Sequence, residues 1–244
     1  EEERERTNAF GEAPPGVAVA FEQVSCRYPG SGRTALRNVS FSVRTGEKTA
    51  LVGLSGAGKS TVFRLLLRQV APADGLIRLP CSRPDDRSAW LAGIAHVPQF
   101  PHIFAASLAE NIALASPDAS RQAVEAAGAA ADLQALVNRL PSGYDTLLGT
   151  GGEPVSGGEA RRIALARALL RDSPLVLLDE PETGLDMEAE EHIRATFDTA
   201  FTGKTVLTIA HRLHTARKAD RVLVFDAGQL VECGSHESLL SADG

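Results

Sequence analysis

Nine consecutive residues, Gly53-Leu54-Ser55-Gly56-Ala57-Gly58-Lys59-Ser60-Thr61, contain the pattern G-x-x-x-x-G-K-[ST], and that spacing suits one kind of chemistry. Glycines let the backbone turn its N–H groups toward an anion, and a helix starting at the end of such a loop adds the favourable end of its dipole. Lys59 would reach the β- and γ-phosphates of a nucleoside triphosphate, and the Ser60 hydroxyl would ligate magnesium. The loop needs a strand before it and a helix after it. Thr49-Ala50-Leu51-Val52 reads as a short buried strand, and Val62, Phe63, Leu65, Leu66, Leu67 and Val70 recur at helical spacing.

A second site must decide which phosphate chemistry this is. Leu175-Val176-Leu177-Leu178 reads as another buried strand and runs into Asp179-Glu180. An acid at that strand end can hold magnesium, directly or through water, and the next carboxylate can polarise an attacking water. Between the two sites lies Val155-Ser156-Gly157-Gly158-Glu159, followed by a segment rich in Arg and Ala. Ser156 and Glu159 fit the S-x-x-E capping box, so a helix should open here whether or not it binds anything. Two glycines and a hydroxyl at a helix N-terminus also offer an anion site.

Together these segments resemble the ATP-binding cassette (ABC) proteins. Residues 155–159 are similar to their LSGGQ signature, with Val155 for Leu and Glu159 for Gln. The other family marks follow in order. Tyr28 resembles the aromatic residue that stacks on adenine, and Gln99 in Val97-Pro98-Gln99-Phe100 resembles the Q-loop glutamine. Asp186 in Thr183-Gly184-Leu185-Asp186 is similar to the D-loop aspartate, and His211 after the strand Thr205–Ile209 resembles the switch histidine that contacts the γ-phosphate. The resemblance spans residues 17–240. It implies ATP bound by Tyr28 and the 53–61 loop, with magnesium held by Ser60, Gln99 and Asp179. Glu180 and His211 are then the catalytic pair. The signature residues Ser156, Gly157 and Gly158, with Asp186, serve a second cassette in a head-to-tail dimer that sandwiches two ATP molecules.

The elements that position these residues predict an α/β fold. It has a P-loop core with a mostly parallel sheet, an N-terminal antiparallel β subdomain and an inserted helical subdomain. The expected division is a linker over 1–16 and one nucleotide-binding domain over 17–241. Its ATP-binding core would take 17–98 and 172–241, and its helical subdomain 99–171. The linker reading rests on the charge run Glu1–Arg6 and the breaker Ala13-Pro14-Pro15-Gly16. Ser107–Asn111, Arg121–Leu140 and the segment after the signature carry the helical spacing.

A chain of 244 residues with 43% hydrophobic content is long enough for one sizeable core. Its net charge of −6 includes no basic tract, which gives nucleic-acid binding no support. Cys26, Cys81 and Cys233 are isolated, which speaks against a disulfide framework or a zinc site and fits a reducing compartment. No apolar run reaches the ~18–20 residues that cross a bilayer, and the first residues given show no signal-peptide pattern.

Several stretches resemble the exporter branch of the family: Arg27-Tyr28-Pro29-Gly30, Glu110-Asn111-Ile112-Ala113-Leu114, Tyr144-Asp145-Thr146 and residues 234–240. That resemblance implies a domain excised from a longer polypeptide, working beside a transmembrane domain at the cytoplasmic face of the inner membrane. Residues 149–154 and 179–186 depart from the usual exporter pattern. With Ser-Gly-Gly-Glu, they are similar to the C-subunit branch of the CydDC-type heterodimeric exporters of cysteine and glutathione, which are linked to cytochrome bd assembly. The alternatives are a multidrug or lipid exporter, or a separate importer ATPase subunit.

Overall fold

The computed structural model describes residues 9–28, 30, 32–180, 196–197, 199–210 and 212–241. They fall into two compact units, residues 1–94 with 203–244 and residues 95–202.

The first unit contains two sheets. One has the strand order β1-β5-β2-β3, from β1 (Phe10–Glu12), β2 (Val17–Arg27), β3 (Thr34–Arg44) and β5 (Asp74–Leu79). β2 runs antiparallel to β3 and to β5, and β1 runs parallel to β5. In β3 the residues Leu36, Val39, Phe41 and Val43 are buried and most of their neighbours are exposed, as a sheet with one covered face requires. The other sheet has β4 (Lys48–Val52) parallel to β8 (Thr205–Ile209) on one side and to β9 (Arg221–Asp226) on the other, and β10 (Gln229–Gly234) antiparallel to β9. All five residues of β8 are buried, the continuous burial of a strand covered on both faces. Aromatic rings tie the two sheets together. Phe21 and Phe41 face each other across the β2–β3 register and stack at 4.7 Å, and Phe41 meets Phe225 of β9 edge-on at 6.5 Å.

Among the described residues this unit has four helices, two of them being Leu213–Lys218 and His236–Ser241. α1 (Lys59–Leu66) follows β4 and buries Val62, Phe63, Leu65 and Leu66. α2 (Arg87–Ala92) starts at Asp86, whose carboxylate accepts from the N–H groups of Ser88 and Ala89. Its Trp90 is fully buried and donates its indole N–H to Leu66 O at 2.7 Å, satisfying one carbonyl at the end of α1. Phe10 lies edge-on to Trp90 at 5.0 Å. Part of the stretch read as a linker is therefore a strand, because Phe10 finds an aromatic partner far along the chain. The Pro-Pro-Gly breaker separates β1 from β2.

The second unit begins within β6 (Ile94–Val97), which neighbours β7 (Leu175–Asp179) in its sheet. Among its described residues are the helices α3 (Leu108–Ala113), α4 (Arg121–Ala130), α5 (Gln134–Arg139) and α6 (Gly157–Arg171), with α6 packed on α3 and α4. The periodic run 121–140 forms two helices rather than one. Asp132 interrupts it with a φ of 57°, a left-handed conformation that Asp tolerates better than most residues. No helix among the described residues is long and apolar enough to cross a membrane.

Candidate functional site

β4 delivers the chain into the glycine-rich loop, and α1 begins at Lys59. Gly58 stands at the N-cap, and no side-chain hydrogen bond caps this end. The N–H groups of Gly56, Gly58 and Ser60 have no backbone partner among the described residues. Ser, Thr, Asp and Asn side chains are the usual partners of first-turn donors, and none of them caps this helix. Lys59 is 5% exposed, and its Nζ donates to Gly53 O at 2.7 Å and Leu54 O at 3.0 Å. A buried ammonium is costly without oxygens around it. The loop carbonyls supply such oxygens, and a triphosphate would supply the countercharge, so the residues present fit the group. Leu54, Ser55 and Gly56 are exposed at the tip.

The loop is braced from behind by the β9–β10 hairpin, which the sequence reading did not single out. A Cβ on Gly53 would lie 2.1 Å from Phe225 O, so only glycine permits this approach. Ala227 and Gly228 form a two-residue turn with φ of 46° and 83°, the primed geometry that matches strand twist. Gly228 N–H donates to Ala57 O at 3.0 Å, and Gly228 O accepts from Arg37 N–H at 2.8 Å. The signal was present in the sequence as a glycine after Asp226-Ala227 between two apolar runs, but its contact with a loop some 170 residues earlier was not.

Tyr28, expected at the adenine, follows β2 directly. Its hydroxyl lies 3.1 Å from Thr61 Oγ1 and accepts from Arg64 Nη1 at 3.1 Å. Thr61 is thus a buried helix residue engaged with Tyr28, while Ser60 remains exposed.

In the second unit the structure brings Gln99 and Glu180 together. β6 ends at Val97 and β7 at Asp179, and Gln99 Nε2 donates to Glu180 Oε2 at 2.6 Å. Glu180 holds a φ of 46°. A non-glycine residue in that region carries strain on the order of 1–3 kcal/mol, and such residues cluster at functional sites. The strained backbone and the amide partner both fix where the carboxylate points. The proposed metal ligands are a hydroxyl (Ser60), an amide oxygen (Gln99) and a carboxylate (Asp179), all hard oxygen donors that suit magnesium. Asp186 and His211 lie outside the described residues.

The signature opens α6 as the capping pattern requires. Ser156 Oγ accepts from Glu159 N–H at 3.3 Å, and Glu159 Oε2 accepts from Ser156 N–H at 2.7 Å. Arg139 of α5 donates to Glu159 Oε1 at 2.9 Å. Burial works to raise the Glu159 pKa, but the Ser156 N–H and Arg139 outweigh it and hold the carboxyl below its ordinary value. Ser156 and Gly157 are exposed and Gly158 is half-buried. Ten residues further along α6, Arg167 donates to Asn111 O at 2.7 Å, to Asn111 Oδ1 at 2.8 Å and to His102 O at 2.8 Å. Asn111 is fully buried and donates to the carbonyls of Phe104, Ala106 and Ser107. This network, also missed from the sequence, fastens the segment after Gln99 to the signature helix.

A glycine-rich loop between a parallel strand and an uncapped helix defines a P-loop nucleotide-binding domain. Residues 36–183 match the ABC transporter family, and the chain belongs to it. It is 44% identical over 229 residues to an ATP-dependent lipid A-core flippase of Pseudomonas aeruginosa, covering 93% of this chain and 38% of that protein. It is 42% identical over 246 residues to the flippase of the same description from Haemophilus influenzae, covering 99% and 42%. The structure of a bacterial Atm1-family ABC exporter with ATP bound superposes with a TM-score of 0.84 at 37% identity, covering 97% of this chain and 43% of that one. The chain spans about two-fifths of the length of these relatives. The resemblance to the exporter branch and the expected fold class agree with these findings.

Proposed function

We propose that the chain is the ATP-binding and ATP-hydrolysing motor domain of an ABC exporter. The observation that carries this is the uncapped start of α1, with the Lys59 ammonium held across the loop by Gly53 O and Leu54 O. In this reading Tyr28 stacks on adenine, and residues 53–61 receive the triphosphate. Ser60, Gln99 and Asp179 are the ligands for magnesium, which when bound neutralises charge on the phosphate oxygens. A water oxygen attacks the γ-phosphorus and the bond to the bridging oxygen breaks, giving ADP and phosphate. Glu180 polarises that water and takes its proton. Gln99, donating to Oε2, orients the carboxylate. His211 steadies the γ-phosphate, while Asp186 and the signature residues Ser156, Gly157 and Gly158 complete the site of a facing cassette.

The coupled partner is a transmembrane domain at the cytoplasmic side of the inner membrane. Phe100 is 76% exposed, and Phe104 and Leu147 are each 47% exposed. Phe100 directly follows Gln99 in the chain, and apolar side chains this exposed suit a protein face rather than water. For the cargo, the flippase relatives favour a lipid over cysteine or glutathione, and they give the heterodimer no support. The thiol reading rests on residues 149–154, residues 179–186 and Ser156-Gly157-Gly158-Glu159 alone. Hydrolysis by the whole transporter in lipid vesicles separates the two: stimulation by lipid A-core and not by glutathione supports the lipid reading, and the reverse supports the thiol reading.

Lys59→Ala tests the motor reading. Removing a charge-assisted contact should weaken a non-hydrolysable ATP analogue by about 1–3 kcal/mol in a calorimetric titration. Unchanged affinity would place the nucleotide elsewhere.

A further inference from the structure

The adenine platform, if Tyr28 is one, is not free to choose its own orientation. Its phenol oxygen sits between two side chains of α1, lying 3.1 Å from Thr61 Oγ1 and accepting from Arg64 Nη1 at 3.1 Å. The phenol can donate to one and accept from the other, so both of its hydrogen-bonding roles are filled. Thr61 and Arg64 are three residues apart and so share a helix face. The Arg64 guanidinium carbon also lies 5.6 Å from the centre of the Tyr28 ring, within the range of a cation–π contact. That contact and the hydrogen bond to the phenol oxygen together hold the ring against α1. Arg64 is exposed, belongs to none of the phosphate-binding positions, and lies in the last turn of the short helix that starts at the glycine-rich loop.

We propose that Arg64 is a positioning residue for base recognition: it holds the Tyr28 ring in register with the phosphate loop, so that base and triphosphate are bound by parts of one rigid element. The proposal rests on the reading of Tyr28 as the adenine platform. Preorganising a ring reduces the ordering cost of binding, so the effect should fall on the base and spare the phosphates. Arg64 acts through Tyr28 and touches no reacting atom.

The test compares ATP with inorganic tripolyphosphate as titrants of the chain and of its Arg64→Ala, Arg64→Lys, Tyr28→Phe and Tyr28→Ala variants, with thermal melts to confirm folding. Arg64→Ala should weaken ATP roughly 3- to 10-fold, the scale of one exposed cation–π contact and one hydrogen bond. Tripolyphosphate affinity should not change, Arg64→Lys should recover part of the loss, and Tyr28→Phe should show a smaller loss that does not add to that of Arg64→Ala. Equal weakening of ATP and tripolyphosphate by Arg64→Ala would overturn the proposal by making Arg64 a phosphate ligand. Unchanged ATP affinity in Arg64→Ala, with a loss of about tenfold or more in Tyr28→Ala, would overturn it while leaving the platform in place. Unchanged ATP affinity in Tyr28→Ala would remove the platform itself, and the proposal with it.

Discussion

Two helices in this chain begin after glycine-rich stretches, and they treat their first turns in opposite ways. α1 has Gly58 at its N-cap and no side-chain cap, whereas α6 has the reciprocal box of Ser156 and Glu159, reinforced by Arg139. One end keeps its donors open, and the other closes on itself. The same helix physics therefore gives two kinds of site. Under the proposed function an anion satisfies the open end, beside which Lys59 is buried. The closed end spends the Ser156 oxygen on the Glu159 N–H, and what it still presents is the Ser156 O–H with the N–H groups of Gly157 and Gly158, which have no backbone partner among the described residues. The first suits holding a nucleotide. The second suits touching one that something else holds.

The largest expected effect separates chemistry from both helix ends. Glu180→Gln keeps the shape and the contact site for Gln99 but loses the carboxylate. Turnover should fall roughly 100-fold or more, with ATP affinity retained. An unchanged hydrolysis rate, measured with the facing cassette present, would remove Glu180 from its role and leave the comparison of helix ends without a catalyst between them.

Next comes the brace behind the open end. In Gly228→Ala the new Cβ would lie 2.7 Å from Ala35 O at a φ of 83°, a strain on the order of 1–3 kcal/mol. Because Gly228 N–H supports Ala57 O, ATP affinity should fall together with thermal stability. A variant that loses stability but binds ATP normally would show that the hairpin holds the fold and not the loop.

The closed end should respond in the opposite sense. Ser156→Ala removes a cap, which costs about 1 kcal/mol of stability, and should leave ATP binding at the 53–61 loop unchanged. Acid sharpens the contrast. The folded-state pKa of Glu159 lies below its ordinary 4.5, so its contribution is fully present above that value and is lost as the pH falls through the lowered one. Melting curves over this acidic range should show that loss in the native chain and a weaker pH dependence in Glu159→Gln. Equal acid sensitivity of the two proteins would mean that the box carries little of the helix's stability.

How far the sequence disclosed all this depends on the range of the interactions. The loop, its strand, the start of α1 and the capping box are local patterns, set by residues within a few positions of one another, and they were legible. The partners of those patterns were not. The Gly228 contact with Ala57, the Arg167 clasp on Asn111, and the meeting of Phe10 with Trp90 join segments far apart in sequence, where spacing carries no signal. Glu159 illustrates both limits at once. Its capping role could be read from S-x-x-E, while its ion pair with Arg139 required the fold. The break at Asp132 was missed because Ala- and Leu-rich spacing on both sides continues through it, and a left-handed Asp leaves no mark in a periodicity.

The central claim is that the open end binds ATP within its own chain while the closed end serves a facing one. The most direct measurement is the ATP hydrolysis rate per chain as a function of protein concentration, with and without the facing cassette, for the native sequence and for Ser156→Arg. The account predicts a slow rate that climbs with concentration or with added partner, and its loss in Ser156→Arg, where a cation at a helix N-terminus opposes an incoming phosphate. ATP affinity at low concentration should be the same for both proteins. A rate that is independent of concentration and survives Ser156→Arg would contradict the account, because hydrolysis would then be complete within a single chain.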